Sequence, residues 1–172
     1  LVPFNLTGAL DNTILFSYDQ MLLQEAGNFI QDPPLQVQDE TVDPAITEPE
    51  DNLIYSYISQ ITPQKYWHGA FRYPVDGSVE DDTIGFMSTF GNRRSYNGSD
   101  YIYFHTGLDF GIYTNSLNIY AAESGIVAYT GQLTVRGNTT FIDHGQGVFS
   151  GYFHQAQIFV NTGDHVEKGQ LI

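Results

Sequence analysis

The stretch TTFIDHGQGVFSGYFHQ, residues 139–155, decides the fold class. Two short apolar runs flank "DHGQG". They are rich in Thr, Phe, Ile, Val and Tyr, types that suit a pleated, half-buried surface. Gly and Asp supply the punctuation. The stretch reads as strand, turn, strand, with His144 in the turn and His154 near the end of the second strand. Working outward, "NSLNIYAAESGIVAYTGQ" precedes it, "IFVNTGDHVEKGQLI" follows it, and "TIGFMSTFGNRR" lies further upstream. Each is a short apolar run broken by Gly, Asn or Asp at a spacing of about 8–12 residues. The expected class is mainly β, a twisted antiparallel sheet or sandwich. The 12 Tyr, 12 Phe and 17 Gly fit that class better than a helical bundle.

Composition narrows the function classes. No apolar run approaches the ~18 residues of a membrane span. Cysteine is absent, which excludes disulfides, a thiolate nucleophile and a Cys-based zinc site. The net charge is −14 with only six Lys and Arg, so a nucleic-acid partner is not expected, nor is capture by an anionic membrane. The chain opens "LVPFNL" with no initiator Met and no recognisable leader. It reads as a processed product or an excerpt of a longer protein, and the lack of cysteine fits an exported one.

The charge is unevenly placed. Residues 1–60 contain no Lys or Arg. Residues 1–30 read as the tail of an accessory β domain or hairpin, with short strands or a short helix. Residues 31–66 read as an acidic, Pro-containing linker plus a short helix. The extended part is 31–51, where proline and like charge both disfavour compaction. The helix is expected over 51–67, from apolar residues at 53, 54, 57, 58 and 61, with Pro63 as its stop. Residues 67–172 form the β region.

Within that region, "YFHTGLDFG" (103–111) sets His105 and Asp109 four residues apart. On an ideal strand they would lie roughly 13 Å apart, too far for one metal ion. A shared metal requires a bend, and Gly107 can supply it. Asp109 would then open or enter a strand. Zinc accepts imidazole nitrogen and carboxylate oxygen, and an open coordination position lets it acidify water. The same pair also reads as two polar residues at a strand end.

The blocks "FGNRRSYNG", "HTGLDFG", "IYAAESGIVAYTG", "FIDHGQGVFSGYFH" and "VNTGDHVEKGQLI", in this order, resemble the catalytic domain of M23 zinc metallopeptidases, the lysostaphin and LytM-like group of peptidoglycan endopeptidases. The resemblance covers roughly residues 67–172. It implies that His105 and Asp109 are zinc ligands and that His154 assists proton transfer or transition-state binding. It implies hydrolysis of peptide bonds in the cross-bridge or stem peptide of bacterial peptidoglycan, outside the cytoplasm or in the envelope. Arg94 and Tyr103 are candidate substrate contacts, although Arg94 reads equally as a fold-holding ion pair. Where the family usually has Leu-Ser after the histidine, this chain has Gln155-Ala156.

The family's third ligand and a further catalytic base lie in an HxH motif, and no HxH occurs in this sequence. The expectation is that the motif lies beyond Ile172. His68, His144 and His165 are weak substitutes. Two other readings stand beside the peptidase. One is a non-catalytic M23-like domain that binds or activates a cell-wall hydrolase. The other is a metal-free structural or carbohydrate-binding β domain. An acid from 31–51 occupying the open zinc position would make the chain latent.

Overall fold

The computed structural model describes residues 31–172; the expected terminal hairpin lies outside them. The described residues are mainly β, with antiparallel sheets and one α-helix, the expected class. They group into two compact units. One, the loop unit, is built from 31–42 and 77–116; the other, the sheet unit, from 43–76 and 117–172.

In the loop unit, β1 (Ile84–Ser88) pairs antiparallel with β4 (Asp109–Ile112), and β2 (Arg93–Arg94) with β3 (Tyr103–Phe104). The β1–β4 ladder runs regularly through Phe86 opposite Phe110, then skips a residue so that Ser88 faces Asp109. Met87 is the extra residue of this bulge and is 67% exposed, while Ser88 is buried. Within this unit residues 31–35 run along β2 and the residues after it, with Gln31 bridged to Arg93 and Leu35 to Tyr96.

The sheet unit holds one helix, α1 (Pro44–Ile58), and β5 (Gly125–Leu133), β6 (Gly137–Gly145), β7 (Val148–Gln155) and β8 (His165–Val166). The strand order is β7-β6-β5-β8. The helix lies earlier than its apolar spacing suggested. It starts inside the stretch read as extended linker and ends five residues before Pro63. The reason is local chemistry. Asp43 accepts the Ala45 N–H at 2.9 Å as N-cap, and Pro44 takes a first-turn position where its missing donor costs nothing. One face is fastened by Glu50, which is buried and accepts from Val135 N (3.0 Å) and Arg136 Nη1 (2.9 Å).

Strands β6 and β7 are joined by a two-residue turn. Gln146 and Gly147 both have positive φ (56° and 76°) between the paired Gly145 and Val148. This is the geometry whose twist matches a β-hairpin. His144 therefore belongs to β6 and not to the turn where it was expected, and it is fully buried. The core of the unit is Ala121, Ala122, Val127, Ile142, Tyr152, Val160, Val166 and Ile172.

Candidate metal and catalytic site

His105 and Asp109 come together. His105 Nε2 lies 3.1 Å from Asp109 Oδ1. A bend at Gly107 separates β3 from β4, and Asp109 is the first residue of β4. Gly107 does not adopt a left-handed conformation, so backbone freedom is not what requires a glycine there. A Cβ at Gly107 would stand 3.6 Å from His105 Nε2, over the atom that faces Asp109.

The surroundings fix the ring of His105. Its backbone is held by His105 N to Asn92 O and Gly91 N to His105 O, both 2.8 Å. Its Nδ1 lies 3.2 Å from the Thr89 carbonyl and 2.9 Å from Ser88 Oγ. A carbonyl only accepts, so Nδ1 carries a hydrogen. Burial, and then the Arg94 cation, push the imidazole pKa below its ordinary value, although Asp109 opposes them. A ring protonated at Nδ1 alone leaves Nε2 bare, so that two lone-pair-bearing atoms face each other at 3.1 Å. That arrangement calls for a cation. Two ligand atoms on tetrahedral zinc would be about 3.4 Å apart, from bond lengths of about 2.1 Å. A metal-binding histidine usually has its other ring nitrogen tied in this way to a carbonyl or carboxylate. The pair fits zinc. Among the described residues, no third His, Asp or Glu joins it to make a metal-holding group.

Arg94 and Asp32 complete the cluster. Arg94 Nη2 binds Asp109 Oδ2 at 2.7 Å, and Arg94 Nε binds Asp32 Oδ2 at 2.9 Å. Asp32 is buried; Ser88 Oγ donates to its Oδ2 (2.6 Å) and Asn92 Nδ2 to its Oδ1 (2.7 Å). Burial pushes the Asp32 pKa up, but the hydrogen bonds from Ser88, Asn92 and Arg94 and the charge of Arg94 outweigh it and hold the carboxyl low. The acid of the N-terminal segment thus engages Arg94, Ser88 and Asn92. Sequence reasoning did not find Asp32, Ser88 or Asn92 as members of this cluster. Tyr103 pairs with Arg94 across the β2–β3 ladder and stacks at 4.9 Å, tilted, on Tyr96, whose hydroxyl accepts from Arg94 Nη1 at 3.4 Å.

His154 stands in the sheet unit. It is exposed and has φ +56°, a left-handed conformation uncommon for a non-glycine residue. The β6–β7 ladder is irregular here: Tyr152 faces Thr140 and Gln155 faces Asn138, three steps against two. The bulge re-aims the side chain, and its backbone is pinned by His154 N to Arg136 O at 2.9 Å. His144 is a satisfied core residue. Its Nδ1 meets the Ser124 carbonyl at 2.8 Å and its Nε2 meets Ser150 Oγ at 2.7 Å. Burial pushes its pKa down. His68 and His165 are exposed.

The description of Peptidase family M23 matches residues 103–172, the stretch from β3 through β8. Over this stretch the chain is similar to M23 peptidases. A zinc-containing peptidase from Vibrio cholerae is similar at 27% identity and TM-score 0.52, over 62% of this chain and 31% of that one. A peptidase M23 structure from Pseudomonas aeruginosa aligns at 20% identity and TM-score 0.43, over 76% of this chain and 48% of that one. The structure of the SpoIIQ–SpoIIIAH pore-forming complex aligns at 18% identity and TM-score 0.47, over 60% of this chain and 72% of that one. The chain thus spans less than half the length of the first two. No curated protein matches it at a significant level.

Proposed function

We propose that this chain carries part of the active site of a zinc-dependent endopeptidase that hydrolyses peptide bonds of bacterial peptidoglycan, in the cross-bridge or stem peptide. The observation that carries the reading is His105 Nε2 facing Asp109 Oδ1 at 3.1 Å. The family match supports the peptidase class. His105 and Asp109 would hold the metal. Zinc, when bound, supplies Lewis acidity that lowers the pKa of water and polarises a carbonyl.

The chain's own residues prepare that site. Thr89 and Ser88 hold the His105 ring by Nδ1, which keeps Nε2 available. Arg94 occupies one oxygen of Asp109 and orients the carboxylate. His154, exposed on its bulge, is the proposed proton-transfer group. Such a protein would act in a secreted or envelope-associated setting, with peptidoglycan peptides as its partners.

The test is zinc binding measured by equilibrium dialysis. Zinc retained by the chain should be lost in His105→Ala. Unchanged zinc stoichiometry in that variant would sink the ligand assignment. A second reading is a non-catalytic M23-like domain that binds or activates a hydrolase. It draws on the pair having no third ligand among the described residues. Zinc binding without hydrolysis of purified peptidoglycan would favour it.

A further inference from the structure

We propose that Ser88, Asn92 and Arg94 form a carboxylate-binding subsite beside the His105–Asp109 pair, filled in this chain by Asp32 and opened to the carboxylate of a peptide ligand when residues 31–35 withdraw. The donors converge on one carboxylate. Asn92 Nδ2 serves Oδ1 at 2.7 Å; Ser88 Oγ and Arg94 Nε serve Oδ2 at 2.6 and 2.9 Å. The orientation of the Asn92 amide is set independently, because Thr89 Oγ1 donates to its Oδ1 at 2.9 Å. The pocket therefore presents donors to its occupant. A carboxylate satisfies them all, whereas the NH2 of a neutral amide would meet another donor.

The donors and the occupant are unequally anchored. Ser88 lies in β1 and Arg94 in β2, and the Asn92 carbonyl accepts the His105 N–H at 2.8 Å. Asp32 arrives on an extended segment. It is tied by Asp32 N to Arg93 O (2.9 Å), Leu35 N to Ser95 O (3.0 Å), Asn97 N to Leu35 O (2.9 Å) and Tyr101 Oη to Asp32 O (3.2 Å). Pro33 and Pro34 have no N–H to add, and both are exposed. The subsite also shares atoms with the metal pair. Ser88 Oγ touches His105 Nδ1, and Arg94 Nη2 holds Asp109. A carboxylate bound there would sit one side chain away from the reacting centre. The carboxylate class follows from the donors alone; that its carrier is a peptide rests on the peptidase reading.

The experiment uses N-acetylglutamate α-amide as probe and N-acetylglutamine α-amide as its neutral counterpart, with binding followed by isothermal titration calorimetry. Asp32→Ala should bind the acidic probe about tenfold or more tightly than the unaltered chain, a difference of about 1.4 kcal/mol. It should ignore the neutral probe, and Asp32→Ala/Arg94→Gln should bind neither. A folded Asp32→Ala that binds the two probes alike, or no better than the unaltered chain, overturns the proposal. If Asp32→Ala does not fold, hydrogen exchange of the unaltered chain decides. Added acidic probe should speed exchange at the Asp32 and Leu35 amides; no change at saturating probe overturns the subsite. Neither readout needs zinc or turnover, so failure here is separate from failure of the peptidase reading.

Discussion

Arg94 Nη2 lies 2.7 Å from Asp109 Oδ2, while His105 faces Oδ1 of the same carboxylate. One guanidinium thereby serves two acids, since its Nε is on Asp32. Breaking it should be costly because Asp32 is buried. Arg94→Gln should lower stability by about 2–4 kcal/mol, at or below the usual cost of a broken buried pair, because Ser88 and Asn92 still donate. Urea unfolding of both proteins measures this. A loss under about 0.5 kcal/mol, the range of an ordinary surface change, would mean the pair contributes little.

His154 carries a left-handed backbone that a glycine would adopt without the clash of a Cβ. His154→Gly should therefore raise stability by about 0.5–1 kcal/mol. The same variant should lose peptidoglycan hydrolysis if the histidine transfers protons as proposed. Gain of stability with loss of activity is the signature of strain kept for function. A less stable variant would show that the bulge, and not the histidine, dictates this conformation.

His144 makes stability depend on pH. Its folded pKa lies below the ordinary 6.5 because burial disfavours the charged ring. The unfolded chain takes up the proton first as pH falls. The contribution is therefore fully present above about 6.5 and is lost as pH drops from there towards the folded value. His105 is shifted in the same direction and adds to the slope. Denaturant midpoints taken between about pH 7 and 5 should fall with pH, by up to ~1.4 kcal/mol per unit for each group. His144→Gln should flatten part of that slope. An identical slope in the variant would show that the buried ring is not the source.

The β class was legible because strands β5 to β7 combine β-branched and aromatic runs with glycine turns. What hydropathy could not show was which polar residues lie inside. Strand β6 is buried along most of its length, with Thr139, Thr140 and His144 fully covered, so its pattern does not alternate. The helix was misplaced because apolar spacing was weighed above end chemistry. The Asp43-Pro44 step is a helix-start signal, and it lay in a stretch dismissed for its prolines. The approach of His105 to Asp109 was foreseeable only as a conditional, a bend between two motif residues. The place of Asp32 was not, because its partners lie 56 to 62 positions away and no local pattern connects them.

The bulge at Met87 has a consequence for comparing relatives. Upstream of it, residue numbers of partners across β1 and β4 sum to one value; at Ser88 and Asp109 the sum is one greater. An ungapped alignment carried through β1 would put Met87, an exposed thioether, in the column of the hydroxyl that contacts His105. A relative that lacks the extra residue needs a single-position gap between Phe86 and Ser88. Without that gap, inward and outward positions beyond the bulge are exchanged, and a retained serine is scored as lost.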